Sequence, residues 1–239
     1  LFPSMTGPVE THYFNFEGPT GAELVWLKRY STYVIDSSGN ELDDEYLCHN
    51  NLDYSATDYY YNWGITGRAE TLIPRLATLT QGQTEIQFPK GFGIPLMSDQ
   101  TLSATTQVLN VCNPDAHLKI KHAIELDYQF EDDLQKPLIP LFQQSVMVLV
   151  EVDTNNLANP VNDPDVDCLP VMATINSSKM CAGGQVLTGH WVLPNRPDTI
   201  IQDVTDLLKL PFNTTLHYAG VHVHPHCLSL ELVDKTENR

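Results

Sequence analysis

Three histidines stand within five consecutive residues near the C-terminus, at His222, His224 and His226. In an extended strand, residues two apart project from the same face about 6.5–7 Å apart, so two such imidazoles can reach one metal ion at about 2 Å each. Imidazole suits copper and zinc. Pro225 can interrupt the alternation before His226. The cluster therefore predicts a metal site on a strand, and histidines without any ligand role are the alternative.

Other histidines could add ligands from neighbouring strands. His190 follows Gly189 in a short apolar stretch, where a packed or hydrogen-bonded histidine is the alternative. His49 is followed by polar residues that could orient its ring. His122 lies in a predicted strand far along the chain from His49, and spacing alone does not link the two.

Charge and composition argue against several classes of function. The formal net charge of −17 opposes binding to nucleic acid and favours cations near the surface. No stretch approaches the roughly 18 apolar residues that span a membrane. There is no glycine-rich phosphate loop, GxSxG or HExxH motif, and no context promotes a Ser/His/Asp triad. The chain opens at Leu1 without a signal peptide, which indicates a processed or trimmed chain.

Five cysteines and a low lysine content suggest an oxidising compartment. Cys48 with Cys112, and Cys168 with Cys181, are plausible bridges, but the sequence does not fix the pairing and the odd count leaves one thiol over. We therefore expect an extracellular, periplasmic or cell-surface location.

Strand patterns dominate the chain, with Gly- and Pro-containing turns between them. The pattern of residues 217–233 alternates twice, which turns Val221 and Val223 toward a core. One helical turn is predicted within residues 199–210. These features predict an all-β sandwich or jelly roll. The other predicted strands are residues 24–35, 84–88, 101–111, 117–130 and 146–152.

Residues 153–167 are rich in Asn, Asp and Pro, and this composition predicts a long loop or linker. They divide the chain into an N-terminal domain, 1–150, and a C-terminal domain, 151–239. Their oxygen atoms could hold calcium. The spacing is not that of an EF-hand, so a solvated acidic loop is the favoured interpretation.

Scattered motifs over most of the chain also carry a family resemblance. They are residues 48–53 (CHNNLD), 88–96 (FPKGFGIPL), 103–110 (SATTQVLN), 190–191 (HW) and 217–232 (HYAGVHVHPHCLSLEL). Together they resemble the copper-repressible surface copper-binding proteins of methane-oxidising bacteria (the MopE and CorA type). Those proteins are similar in outline to the peptidylglycine α-hydroxylating monooxygenase family. The resemblance implies two β-sandwich domains and copper as the metal.

The monooxygenase pattern is incomplete here. In that family the second domain holds its catalytic copper through a His-x-His pair and a distant Met. His222 and His224 match the pair, but the Met would lie beyond the last residue, so the final strands either lie further along or are lacking. The first domain of the family has a His-His pair and a His after Gln-Val. The corresponding residues here, 49–50 and 107–109, retain one of those three ligands, which argues against monooxygenase activity.

The methanotroph proteins imply a different first-domain site. Their resemblance implies a two-histidine Cu(I) site, which an oxidised Trp two residues before the first histidine completes in those proteins. That resemblance implies His49 and His122 as the ligands here, with Leu47 at the Trp position. The third ligand is then absent, and a two-coordinate Cu(I) site remains chemically reasonable.

The leading prediction is a secreted or surface copper-binding protein of two β-sandwich domains, acting in copper capture or handling rather than turnover. Its partners would be the copper ion and the outer cell surface. The alternatives are an ascorbate-dependent copper monooxygenase related to the peptide-amidating enzymes, and a structural or adhesive β-sandwich with incidental histidines. The predicted metal ligands are His49, His122, His190, His222, His224 and His226.

Overall fold

The regular secondary structure in the described part of the chain is mostly strand, with little helix, which confirms the all-β prediction. The computed structural model describes residues 7–16, 21–65, 74–110, 115, 117–146, 148, 150–151, 187–188, 196–208, 213–223 and 227–236. The strands are β1 Val9–Phe14, β2 Leu24–Asp36, β3 Leu47–Tyr54, β4 Arg75–Thr80, β5 Glu85–Gln87, β6 Phe92–Met97, β7 Leu102–Val108, β8 Ile120–Phe130, β9 Ile139–Pro140, β10 Val150–Glu151 and β11 Leu187–Thr188. The α-helical turns are α1 Tyr59–Asn62 and α2 Thr205–Leu208, and 3₁₀ turns cover Asp44–Tyr46 and Glu131–Asp133.

The described strands form two large sheets and a separate antiparallel pair, β10 with β11. The first has the order β1-β7-β3-β4, and every neighbouring pair in it is antiparallel. In the second, β8 pairs along β2 from Val25 to Asp36. The opposite edge of β2 is shared by β6 and β5, and β9 adds to β6 in parallel. β1 and β8 are therefore edge strands of different sheets.

One apolar core lies between the two sheets. Leu27 and Tyr30 of β2 and Leu52 and Tyr54 of β3 are at most 1% exposed and belong to the same packed cluster. Leu52 and Tyr54 are two residues apart and share one face of β3, whereas Leu27 and Tyr30 are three apart because a register shift in β2 lies between Leu27 and Arg29. Burying each such aliphatic side chain contributes about 1.5–3 kcal/mol, so packing between the sheets fixes which face of β3 points inward.

A polar bridge crosses this core. Asn50 of β3 is fully buried and accepts a hydrogen bond from the hydroxyl of Tyr30 in the opposite sheet. Its amide Nδ2 donates to Thr106 Oγ1 at 2.5 Å. Because a buried amide without partners is costly, these bonds fix the position of the strand that carries His49.

Most of the predicted strands are confirmed. The patterns at 24–35, 84–88, 101–111 and 117–130 correspond to β2, β5, β7 and β8. The helical turn predicted within 199–210 is present as α2, which is a single turn.

Two strand predictions are corrected. The run 146–152 was expected to be a buried strand, but β10 begins only at Val150, and Val146 is 37% exposed. Within residues 217–233, the described residues belong to no strand, and Val221 and Val223 are 44% and 47% exposed rather than packed in the core. An alternating pattern becomes a strand only beside a hydrogen-bonding edge, and no described strand pairs with this segment.

The division into two sandwich domains stays a prediction. Residues 153–167, the expected linker and calcium-binding loop, lie outside the described residues. No helix in the described ranges is long and apolar enough to cross a membrane.

Candidate metal centre

A β-bulge in β3 brings the first two candidate ligands together. Leu47 pairs with Val108 and His49 pairs with Gln107, so Cys48 is an extra residue inserted between adjacent rungs of the ladder. Consecutive side chains normally project from opposite faces of a strand, whereas a bulge re-aims them. Cys48 Sγ accordingly lies 3.4 Å from His49 Nδ1.

The C-terminal segment that carries His222 brings a third candidate ligand to this place. Thr80 Oγ1, at the end of β4, donates a 3.0 Å hydrogen bond to the carbonyl oxygen of Val221. His222 Nε2 then lies 4.0 Å from Cys48 Sγ, and the ring centroids of His222 and His49 are 5.0 Å apart. One ligand atom from each of Cys48, His49 and His222 lies within 4.8 Å of the other two.

These separations suit a small metal ion. Bonds of about 2.3 Å to sulfur and 2.0–2.1 Å to nitrogen, at trigonal or tetrahedral angles, hold the sulfur and nitrogen about 3.5–3.8 Å apart. The distances of 3.4 and 4.0 Å from Cys48 Sγ to the two imidazoles lie on either side of that interval. Side-chain adjustments of a few tenths of an ångström would bring both sulfur–nitrogen distances into that interval, and a further approach of the two imidazoles, whose ring centroids are 5.0 Å apart, would complete a three-ligand site. A thiolate with imidazoles favours Cu(I) or zinc.

The site is buried on one side and open on the other. Cys48 is 5% exposed, His49 is half-buried and His222 is exposed. An open pocket adjoins Cys48 and His222, and its other lining residues include Asp44, Gln81, Gln83 and Leu109. The thiol is thus shielded from solvent, while the imidazole side is accessible to an incoming ion or small molecule.

His122 lies in a second group, with Glu10 and His12 of β1. The ring centroids of His12 and His122 are 4.9 Å apart, and Glu10 Oε1 lies 3.4 Å from His12 Nε2. Burial lowers the pKa of His122 below its ordinary 6.5, His12 lowers it further, and Glu10 opposes them. His122 is therefore neutral at neutral pH, which is the form that binds metals.

The structure brings some of the predicted ligands together and separates others. His49 and His222, predicted from distant segments, lie in one group. The resemblance implies a shared His49–His122 site, but His49 lies in the group with Cys48 and His222, and His122 in the group with Glu10 and His12. The remaining predicted ligands, His190, His224 and His226, lie outside the described residues.

Sequence reasoning missed three of the grouped residues. Cys48 was considered only for a bridge to Cys112, and Cys112, like both cysteines of the predicted Cys168–Cys181 bridge, lies outside the described residues. In the structure the Cys48 sulfur lies beside two imidazoles. Its position next to His49 was a usable signal. Glu10 and His12 stand two residues apart in a short β-strand, the same spacing that drew attention to the C-terminal cluster, and were not considered.

Comparison with known proteins adds no family assignment. No protein-family model matches the chain, and no curated protein matches it. The resemblance to methanotroph copper proteins and the identity of the metal therefore stay predictions.

Proposed function

We propose that this protein binds copper as Cu(I) through Cys48, His49 and His222, and that it serves in copper capture or handling. The observation that carries the proposal is the convergence of one thiol and two imidazoles within 4.8 Å, from two segments distant in the chain. No ion is needed to hold these side chains near one another, because the bulge in β3 and the Thr80–Val221 hydrogen bond already do so.

The ligand chemistry favours Cu(I) over harder cations. A thiolate is a soft ligand, and soft ligands select Cu(I), zinc and iron–sulfur clusters, whereas magnesium and calcium require carboxylate, carbonyl or water oxygens. The group contains no carboxylate, and Cu(I) tolerates three ligands or fewer. Zinc is the main competitor, and the experiment below distinguishes the two ions.

Accessibility supports handling of the ion rather than a purely structural role. Structural metal sites are usually closed by four protein ligands, whereas His222 is exposed and an open pocket adjoins the group. The net charge of −17 raises the local concentration of cations around the protein. The low lysine content and five cysteines support action outside the cytoplasm, which fractionation of producing cells tests directly.

The deciding experiment is an anaerobic Cu(I) titration of the reduced protein against a chromophoric Cu(I) chelator, followed by X-ray absorption at the copper edge. We expect one tightly held Cu(I) with one sulfur and two nitrogen ligands, and binding that excess zinc does not displace. His117→Gln is a matched control, because His117 is exposed and belongs to neither ligand group. Protein that stays metal-free, or a copper spectrum without sulfur, would contradict the proposal.

The adjoining pocket supports a second candidate function, a copper monooxygenase. A copper ion beside a pocket could serve an oxidation of a small molecule or peptide held there. The pocket is lined by Cys48 and His222 together with polar groups such as Asp44 and Gln83. Ascorbate-dependent oxygen uptake by the copper-loaded protein, stimulated by a peptide or small-molecule substrate, would support this candidate. Uptake no faster than that of free copper would exclude it.

A further inference from the structure

The edge strand β1 presents two potential ligands toward the space between the sheets. Glu10 pairs with Thr106 and His12 with Ala104, and directly opposed residues in an antiparallel pair project from the same face. Thr106 and Ala104 are 2% and 0% exposed within the sandwich. Glu10 and His12 therefore face inward but stand at the open edge, where both remain exposed.

The edge strand β8 of the other sheet presents His122 to the same place. His122 pairs with Val34 of β2, which is 2% exposed, so His122 also faces the interior. It is half-buried and lies against His12, with 4.9 Å between the ring centroids. Three potential ligands from two sheets thus meet at one edge of the sandwich.

We propose that Glu10, His12 and His122 form a second metal site, for a divalent cation of the Zn(II) class, and that the ion links the two sheets. Two imidazole nitrogens and one carboxylate are an established ligand set for zinc, with bonds of about 2.0–2.2 Å. The ligand atoms lie within 4.8 Å of one another, and Glu10 Oε1 is already 3.4 Å from His12 Nε2. Closing around an ion requires shifts of about 1 Å or less in side chains that are partly exposed.

An ion pair between Glu10 and a protonated His12 would explain only part of this arrangement. Such a pair is exposed, with 70% and 57% of the two side chains accessible, and exposed pairs contribute little to stability. It also leaves His122 beside a positively charged ring, which is unfavourable if His122 gains a proton as well. A shared divalent cation instead uses both neutral imidazoles and the carboxylate at once.

The two sites would differ in the ions that they prefer. The Cys48 group contains sulfur and no carboxylate, whereas this group contains a carboxylate and no sulfur. Soft thiolate favours Cu(I), and a nitrogen and oxygen set favours divalent ions of borderline hardness. The second site therefore does not depend on the proposed copper function and can be tested without it.

The test measures Zn²⁺ binding by calorimetry in a Cys48→Ser/His222→Gln background, which removes the first site. Adding His12→Gln or His122→Gln should remove one equivalent of bound Zn²⁺. Failing that, it should lower the affinity for Zn²⁺ by more than the roughly 10–100-fold that loss of an orienting neighbour costs. Glu10→Gln, which keeps the size of the side chain, should weaken it less. His117→Gln should change nothing.

Two further readouts keep the test independent of folding and of the first site. Zn²⁺ should raise the Tm of this background protein, because an ion that binds only the folded state stabilises that state. Glu10→Gln should reduce the rise in Tm. Co²⁺ in the same background should give ligand-field bands without a thiolate charge-transfer band. If His12→Gln and His122→Gln both leave the Zn²⁺ stoichiometry and affinity unchanged in folded protein, the proposal is overturned. Wild-type protein that binds Zn²⁺ through these residues but binds no Cu(I) would contradict only the proposed copper function and not this second site.

Discussion

Replacing Cys48 with serine is the most direct test of the first metal site. Serine keeps the size of the side chain but removes the only soft ligand in the group. The Cys48 sulfur lies between the two imidazoles, 3.4 Å from His49 Nδ1 and 4.0 Å from His222 Nε2. Its loss leaves two nitrogens whose ring centroids are 5.0 Å apart, without the ligand that they share.

The expected loss of affinity is large. Because losing a residue that merely orients a ligand costs about 10–100-fold, losing a direct ligand should weaken Cu(I) binding by at least about 100-fold, or about 2.7 kcal/mol. The structural cost should be smaller. Cys48 is 5% exposed, and burying a hydroxyl costs about 1–3 kcal/mol unless it finds a hydrogen bond. His49 Nδ1 is within reach, so we expect the lower end of that range.

The assay compares the Cu(I) Kd of wild type and Cys48→Ser by anaerobic chelator competition, and their free energies of unfolding by urea denaturation of the apo-proteins. Cys227→Ser is the matched control, since Cys227 is exposed, its thiol donates to the carbonyl of Ser229, and it belongs to neither ligand group among the described residues. Folded Cys48→Ser protein that binds Cu(I) within about threefold of wild type would refute the assignment of the thiol as a ligand.

Three further outcomes follow from named contacts. His222→Gln should weaken Cu(I) binding without lowering the urea midpoint of the apo-protein, because His222 is exposed. Asn50→Ala should destabilise the fold by about 2–4 kcal/mol in urea, since it leaves the hydroxyls of Tyr30 and Thr106 without their amide partner. Burial raises the pKa of Tyr54 from 10.0 to about 12, so the neutral phenol is favoured in the folded state. The stability that this provides is complete below pH 10 and is lost as the pH rises toward 12, by about 2.7 kcal/mol at most. A pH series of urea melts should show this decline, and Tyr54→Phe should lessen its slope without removing it, because burial also raises the pKa of Tyr30.

The sheets were predictable from sequence where one face of a strand is buried. The β-branched and aromatic residues of 24–35, which end at a turn, predicted a strand, and they form β2. The alternation in 217–233 was equally regular, but it did not produce a strand. Alternation records which side chains are apolar, whereas pairing depends on whether a neighbouring strand edge is available.

The candidate site was only partly predictable for a related reason. His49 and His222 could be nominated from residue type and local spacing. Their proximity depends on a hydrogen bond from Thr80 to a segment far away in the chain, and the role of Cys48 depends on a one-residue shift between β3 and β7. A register shift has no signature in a single sequence, because each strand looks regular until it is aligned with its partner.

The approach of His222 to Cys48 has a topological consequence. The two residues are 174 positions apart, and an ion bonded to both would close most of the chain into a ring. A protease cut at any bond between them would then leave two fragments that remain joined until the ion is removed. The integrity of a nicked molecule would depend on the supply of metal, and a chelator would act on it as a reducing agent acts on a disulfide-linked pair.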